Sequence, residues 1–127
     1  SVLEKNFSIV SPEMTLRDLT KVISVSKRNI FPVLNEYDEL EGIITLDDMR
    51  EIMFDTDSYD KIKVYDLMLL PSAVINSSET MNQVVAKFNE TGAWNLPVLK
   101  DGKYIGFVSK SKMFEVYREH LIDISDD

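Results

Sequence analysis

The chain has no cysteine and a single histidine. Without cysteine there can be no disulfide, no thiolate zinc site and no cysteine nucleophile, a composition that fits a reducing compartment. One histidine makes no histidine cluster for a metal, and His120, near the C-terminus with no nucleophile to serve, reads as a structural or surface residue. Basic residues are scarce relative to acidic ones, 14 against 22. The resulting formal charge of −8 repels phosphate backbones and anionic lipid surfaces, so general nucleic-acid or membrane-surface binding is disfavoured while a local basic pocket stays open. No apolar run approaches the roughly 20 residues of a membrane helix, and no charged-then-apolar leader is present, so the piece is expected to be soluble. Gly-x-Ser-x-Gly and phosphate-binding Gly-rich loops are also missing. No catalytic residue and no metal ligand are therefore assigned, no cofactor is required, and the chain is read as a non-enzyme.

With 44% apolar residues in 127, the sequence is not disordered and is long enough to bury roughly two-thirds of its unfolded surface without a metal or disulfide staple. Its strongest feature is a repeat. Phe31-Pro32-Val33-Leu34 returns 65 positions later as Leu96-Pro97-Val98-Leu99, and Gly42-Ile43-Ile44-Thr45 returns 64 positions later as Gly106-Phe107-Val108-Ser109. By the same offset Ser1, which is no initiator, matches Asp66 inside the second copy. The sequence is thus expected to be a fragment of a longer chain.

Each copy has one order of elements. Phe7-Ser8-Ile9-Val10 reads as a short strand ending at Ser11-Pro12. Thr15 is the natural N-cap of a helix whose Leu16, Leu19 and Ile23 form one stripe of a 3.6-residue period. Ile30 to Leu34, apolar throughout, predicts a covered strand, with Pro32 placing it at an edge or at the strand's first residues. After a polar turn, Gly42 to Thr45 is its partner, and a helix from Leu46 sets Leu46, Met49, Ile52 and Met53 on one side. Phe54 to Asp60 is an acidic connector. Its Asp55, Asp57 and Asp60 lack the glycine and distal glutamate of a calcium loop and read as solvated.

The second copy begins with a short helix at Val64 to Met68 stopped by Pro71, then repeats the order. Ala73-Val74-Ile75 is the strand, and Thr80 caps a helix with Gln83 at capping-box spacing and Met81, Val84, Val85 and Phe88 on one face. Asp101-Gly102 marks a hairpin. A last helix from about Lys110 to Ile122 faces inward through Met113, Val116, Tyr117 and Leu121. The predicted domains are 1–60 and 61–127, each β-α-β-β-α. A unit of about 60 residues can barely cover its own helix face, so the two are expected to pack as a pseudo-twofold α/β (α+β) sandwich.

Two units of this order, each with an apolar-Pro-Val strand followed by Gly-apolar-apolar-Thr/Ser and a helix, resemble a tandem pair of CBS domains, a Bateman module, over essentially the whole chain. Leu40-Glu41-Gly42-Ile43-Ile44, Leu46-Asp47-Asp48-Met49-Arg50-Glu51-Ile52-Met53-Phe54 and Val64-Tyr65-Asp66-Leu67-Met68, taken with Phe31-Pro32-Val33-Leu34, look like the cytoplasmic C-terminal region of prokaryotic CLC-type chloride channels and transporters. This resemblance implies a regulatory and dimerisation module on the cytoplasmic side of the cell membrane, forming a homodimer beneath the transmembrane channel domain of its own chain. It also implies ATP, ADP or AMP as a regulatory ligand, and the net charge of −8 argues for no nucleic-acid partner. The same pair occurs attached to inosine monophosphate dehydrogenases, magnesium transporters and kinases, and alone, so a soluble enzyme, another transporter or a stand-alone protein is the alternative host.

The resemblance places candidate ligand residues. Thr45 and Asp48 match the family's Thr/Ser-x-x-Asp element, in which hydroxyl and carboxylate hold ribose and phosphate; the same spacing equally describes an N-cap with an acid in the first helical turn. Ser109 keeps the hydroxyl in the second copy, but Lys112 stands where the acid would be, which puts ribose recognition there in doubt. Lys110 and Lys112 oppose the dipole of the helix they begin, as befits either lysines facing an anion or a frustrated surface end. Trp94, the sole tryptophan, precedes the Leu96-Pro97 strand where related modules set a side chain against adenine; it fits stacking, a core or a dimer interface. Asn29 and Ile30 occupy the matching region of the first copy, so the two clefts are expected to differ.

Overall fold

A computed structural model describes residues 3–4 and 8–125, with side chains from 8 to 119. Phe7 and the side chains of His120 and Leu121 lie outside the described residues. The chain divides into two compact units, one built on Phe7–Pro71 and the other on Ser72–Asp127 together with an N-terminal strand.

In the first unit Thr15 caps helix α1 (Leu16–Val25): its hydroxyl accepts from the Asp18 amide at 3.1 Å, and the Asp18 carboxylate accepts from the Thr15 amide at 3.2 Å. Leu16, Leu19 and Ile23 are buried, the stripe the spacing predicts. Strand β2 (Ile30–Leu34) pairs antiparallel with β3 (Leu40–Thr45), Ile30 opposite Thr45. Pro32 is not at an edge. Val10 bridges the other side of β2, using the Pro32 carbonyl and the Leu34 amide at 3.0 and 2.9 Å, so the missing proline N–H is never called on. That single bridge, rather than a strand over Phe7–Val10, is all that segment forms among the described residues.

Helix α2 (Leu46–Met49) is shorter than the apolar spacing predicts; 3₁₀ turns at Ile52–Phe54 and Thr56–Ser58 replace its continuation. The tightening turns the chain back on itself. Residues 59–65 lie along residues 12–17, joined by Leu16 N–H to Ile62 C=O at 2.8 Å, Arg17 N–H to Tyr59 C=O at 3.0 Å, Val64 N–H to Met14 C=O at 2.8 Å and Tyr65 N–H to Pro12 C=O at 3.0 Å. Arg17 adds two bonds to the Asp60 carboxylate at 2.9 and 3.0 Å. A short helix α3 (Val64–Leu67) follows, stopping at Met68 because Leu69 must extend to exchange both backbone hydrogen bonds with Ile43. Val64 is wholly buried in a core with Val10, Leu19, Phe31, Ile44 and Met49. Residues 61–71, which the repeat assigns to the second copy, therefore pack with the compact unit built on Phe7–Pro71: backbone pairing, which has no sequence signature here, holds them. Gly42 is what admits the crossing, since a Cβ there would lie 3.0 Å from the Leu69 carbonyl and 3.1 Å from Met68.

The second unit is a four-stranded sheet in the order β1-β6-β5-β4, from β1 (Leu3–Glu4), β4 (Ile75–Asn76), β5 (Asn95–Lys100) and β6 (Lys103–Ser109). β4 runs parallel to β5, while β5 and β6 form a hairpin closed by Asp101 and Gly102 at positive φ, the turn Asp-Gly predicts. β1 joins the far edge with Glu4 opposite Phe107. This strand has no counterpart in the sequence reading; it matches Leu69 opposite Ile43 in the first unit. Thr80 and Gln83 form the expected capping box on α4 (Met81–Thr91), at 3.2 and 2.9 Å. Val84 and Phe88 of α4 and Met113 of α5 (Lys110–Ser125) are buried on the sheet.

Two polar groups in this unit have consequences for stability. Lys87 spans Glu79 and the Val74 carbonyl, 2.6 Å from each, with only 28% and 17% of the Lys87 and Glu79 side chains exposed. That bond, with the Asn76 amide at 2.8 Å, holds the Glu79 carboxyl below its usual 4.5. Replacing Lys87 with Met leaves the Glu79 carboxylate with the Asn76 amide alone and takes the ammonium from the Val74 carbonyl, and is expected to cost about 1–3 kcal/mol at pH 7. Because the folded-state pKa is the depressed one, that contribution is complete above the ordinary value and disappears as pH falls through the folded one. The stability difference between wild type and Lys87→Met, followed by denaturation at a series of pH values, should therefore narrow as pH falls below 4.5. By contrast, the Tyr104 hydroxyl is buried with no hydrogen-bond partner among the described residues, its ring edge-on to Phe107 at 5.7 Å, and burial pushes the phenol above its ordinary value. Tyr104→Phe removes an unsatisfied group and keeps the ring contact, so urea denaturation should show stability unchanged or raised by up to about 1 kcal/mol.

Candidate functional site

Thr45 and Asp48 lie where β3 passes into α2. The Thr45 hydroxyl accepts from the Asp48 amide at 3.3 Å and donates to Asp48 Oδ2 at 2.7 Å. The two residues thus cap the helix and also bind each other. Asp48 is exposed, and its Oδ1 has no protein partner among the described residues, so one carboxylate oxygen remains to accept from a diol.

Ser109 stands at the matching junction of β6 and α5, its hydroxyl accepting from the Lys112 amide at 3.2 Å. Here the reciprocal side-chain bond is absent because lysine offers no acceptor. Lys112 instead reaches Glu115, 4.0 Å away one turn on, which eases the charge set against the helix dipole. Lys110 has a different partner: its ammonium lies 5.2 Å from the centroid of the Trp94 ring, and its backbone N–H donates to the Trp94 carbonyl at 2.8 Å. The first unit repeats that backbone bond, Leu46 N–H to Asn29 C=O at 2.8 Å, with no aromatic and no ammonium. Trp94 is 73% exposed, so it is no core residue of this chain.

Four of the six candidates therefore meet in the second unit, as an aromatic face with a cation on it beside the start of a 16-residue helix. Thr45 and Asp48 make a separate pair in the first. The carbonyls of Asn29 and Trp94, which tie each entering loop to its helix, escape inspection by residue type; the repeat offset is the signal that pairs them. Among the described residues no group of three acidic or histidine side chains could hold a metal, and no helix is long and apolar enough to cross a membrane.

The model of the CBS domain family matches residues 1–55 and 64–119. Inosine-5'-monophosphate dehydrogenase of Bifidobacterium longum (strain NCC 2705) is 39% identical over 69 residues, 54% of this chain; the match spans 12% of that enzyme's length. A CBS domain pair/ACT domain protein from Thermotoga maritima has the same fold, with a TM-score of 0.73 at 20% identity over 94% of this chain and 95% of that one. So does the CBS domain of a bacterial CNNM/CorC family Mg2+ transporter, solved in complex with ATP, with a TM-score of 0.77 at 14% identity over 90% and 82%. The chain belongs to the CBS domain family.

Proposed function

We propose that this CBS pair is a non-catalytic regulatory and dimerisation module that senses an adenine nucleotide for an attached transport domain. The observation that carries the proposal is Trp94: a large, exposed aromatic ring with the Lys110 ammonium against it and Ser109 and Lys112 at the same helix start. A base would stack on the ring while its phosphates meet Lys110 and Lys112; Thr45 and Asp48, in the first unit, are a separate candidate pair whose Oδ1 suits a ribose diol. The ATP bound to the Mg2+ transporter's CBS domain supports the ligand class. A ligand acts on a host only by binding one arrangement of the module better than another, so the output is a shifted two-state equilibrium.

The host proposed is a CLC-type chloride channel or transporter, on the strength of the Leu46–Phe54 and Val64–Met68 motifs, with the module on the cytoplasmic side of the membrane. The Mg2+ transporter and the dehydrogenase similarities favour other hosts, and support them equally.

Titration with ATP, ADP and AMP, followed through the sole tryptophan, tests the ligand. At least one should quench the fluorescence saturably; three flat titrations leave an assembly module. Sedimentation should give twice the mass of one chain. Nucleotide-dependent anion flux by the intact protein in vesicles identifies a CLC host, and nucleotide-dependent Mg2+ flux another.

A further inference from the structure

The two ammonium groups at the start of α5 are not equivalent. Lys112 lies 4.0 Å from the Glu115 carboxylate one turn on, and both side chains are about half exposed. Lys110 faces the Trp94 ring at 5.2 Å and has no carboxylate partner among the described residues. Beside it the Ser109 hydroxyl accepts from the Lys112 amide and keeps its own proton to donate. At the matching places of the first unit Glu51 follows an acid, Asp48, rather than a lysine, so the Lys112–Glu115 pair belongs to the second unit alone.

On the reading that this helix start meets a nucleotide's phosphates, we infer that Glu115 determines how many phosphates the site favours: by standing against Lys112 it biases the site toward nucleoside monophosphates and against polyphosphates. An aromatic face, one unengaged ammonium and one hydroxyl proton suit a planar base with a single phosphate. Every further phosphate adds negative charge where a carboxylate already stands, on a chain whose formal charge is −8. A carboxylate about 6 Å away disfavours each added unit charge roughly threefold in water. ATP carries about two more charges than AMP, so Glu115 by itself shifts the choice between them about tenfold at low salt. Lys112 is then the group that a polyphosphate must take from Glu115 before it can use it.

The test is calorimetric titration of wild type, Glu115→Gln and Glu119→Gln with AMP and with ATP, at low salt and without divalent cations. Glu115→Gln should raise the affinity for ATP about tenfold more than that for AMP, and the gain should shrink at high salt. Glu119→Gln removes the same charge one turn further along and should move the ATP-to-AMP ratio by less than about threefold. Equal gains for both nucleotides in Glu115→Gln, or the same change of ratio in both variants, overturn the role of Glu115 while leaving the nucleotide reading intact. Flat titrations of wild type and both variants with both nucleotides overturn that reading and the role of Glu115 with it. Glu115 is half exposed, so an unchanged Tm in Glu115→Gln shows that the affinities compare folded proteins.

Discussion

Val64→Asp will abolish cooperative folding of the unit built on residues 7–71. Val64 is fully buried, its backbone amide is already committed to the Met14 carbonyl, and its neighbours in the core are apolar. A carboxylate there loses its hydration without gaining a counter-charge, an effective cost of several kcal/mol, comparable with the whole 5–15 kcal/mol margin of a domain. Protonation softens the cost but still buries an unpaired polar group. Val64→Ala, which only removes methyl groups, should cost about 1–3 kcal/mol. Denaturant titration followed by circular dichroism distinguishes the two: a loss below about 1 kcal/mol for the aspartate variant would mean that residues 59–69 are an ornament on the unit.

Trp94→Ala should weaken binding of the nucleotide that quenches Trp94 by about 10- to 100-fold, the loss expected on removing one base-stacking aromatic. Calorimetry is the right measurement, since the variant has no tryptophan to report. Because the ring is 73% exposed, its removal should move Tm by no more than a few degrees, which separates a binding loss from an unfolded protein. Trp94→Phe should recover part of the affinity by keeping a π-face. Unchanged affinity in the alanine variant would remove Trp94 from the site and leave its contact with Lys110 as surface packing.

Much of this was legible beforehand, for local reasons. Thr15 and Thr80 cap their helices because a hydroxyl one residue before the first turn reaches the amide three residues on, a relation within four residues of sequence. Asp101-Gly102 turns because both residues tolerate positive φ. The candidate pair Thr45 and Asp48 could be named from spacing, yet spacing cannot say that the hydroxyl donates to the carboxylate as well as capping the helix. For Lys110 and Lys112, the sequence showed charge against a helix dipole; only side-chain packing showed that one lysine turns to Trp94 and the other to Glu115.

By itself, then, the sequence determined the two-fold repeat, the helix-strand-strand-helix order common to both copies, the apolar stripes of α1 and α4 and the family resemblance, because these rest on periodicities and caps a few residues long. Tertiary structure alone decided the unit boundary, the brevity of α2 and the exposure of Trp94. It also decided that residues 59–69 close the first unit's core. Those outcomes depend on backbone pairing between segments some fifty residues apart, such as Leu16 with Ile62, and such pairing leaves no mark on the residue types that make it.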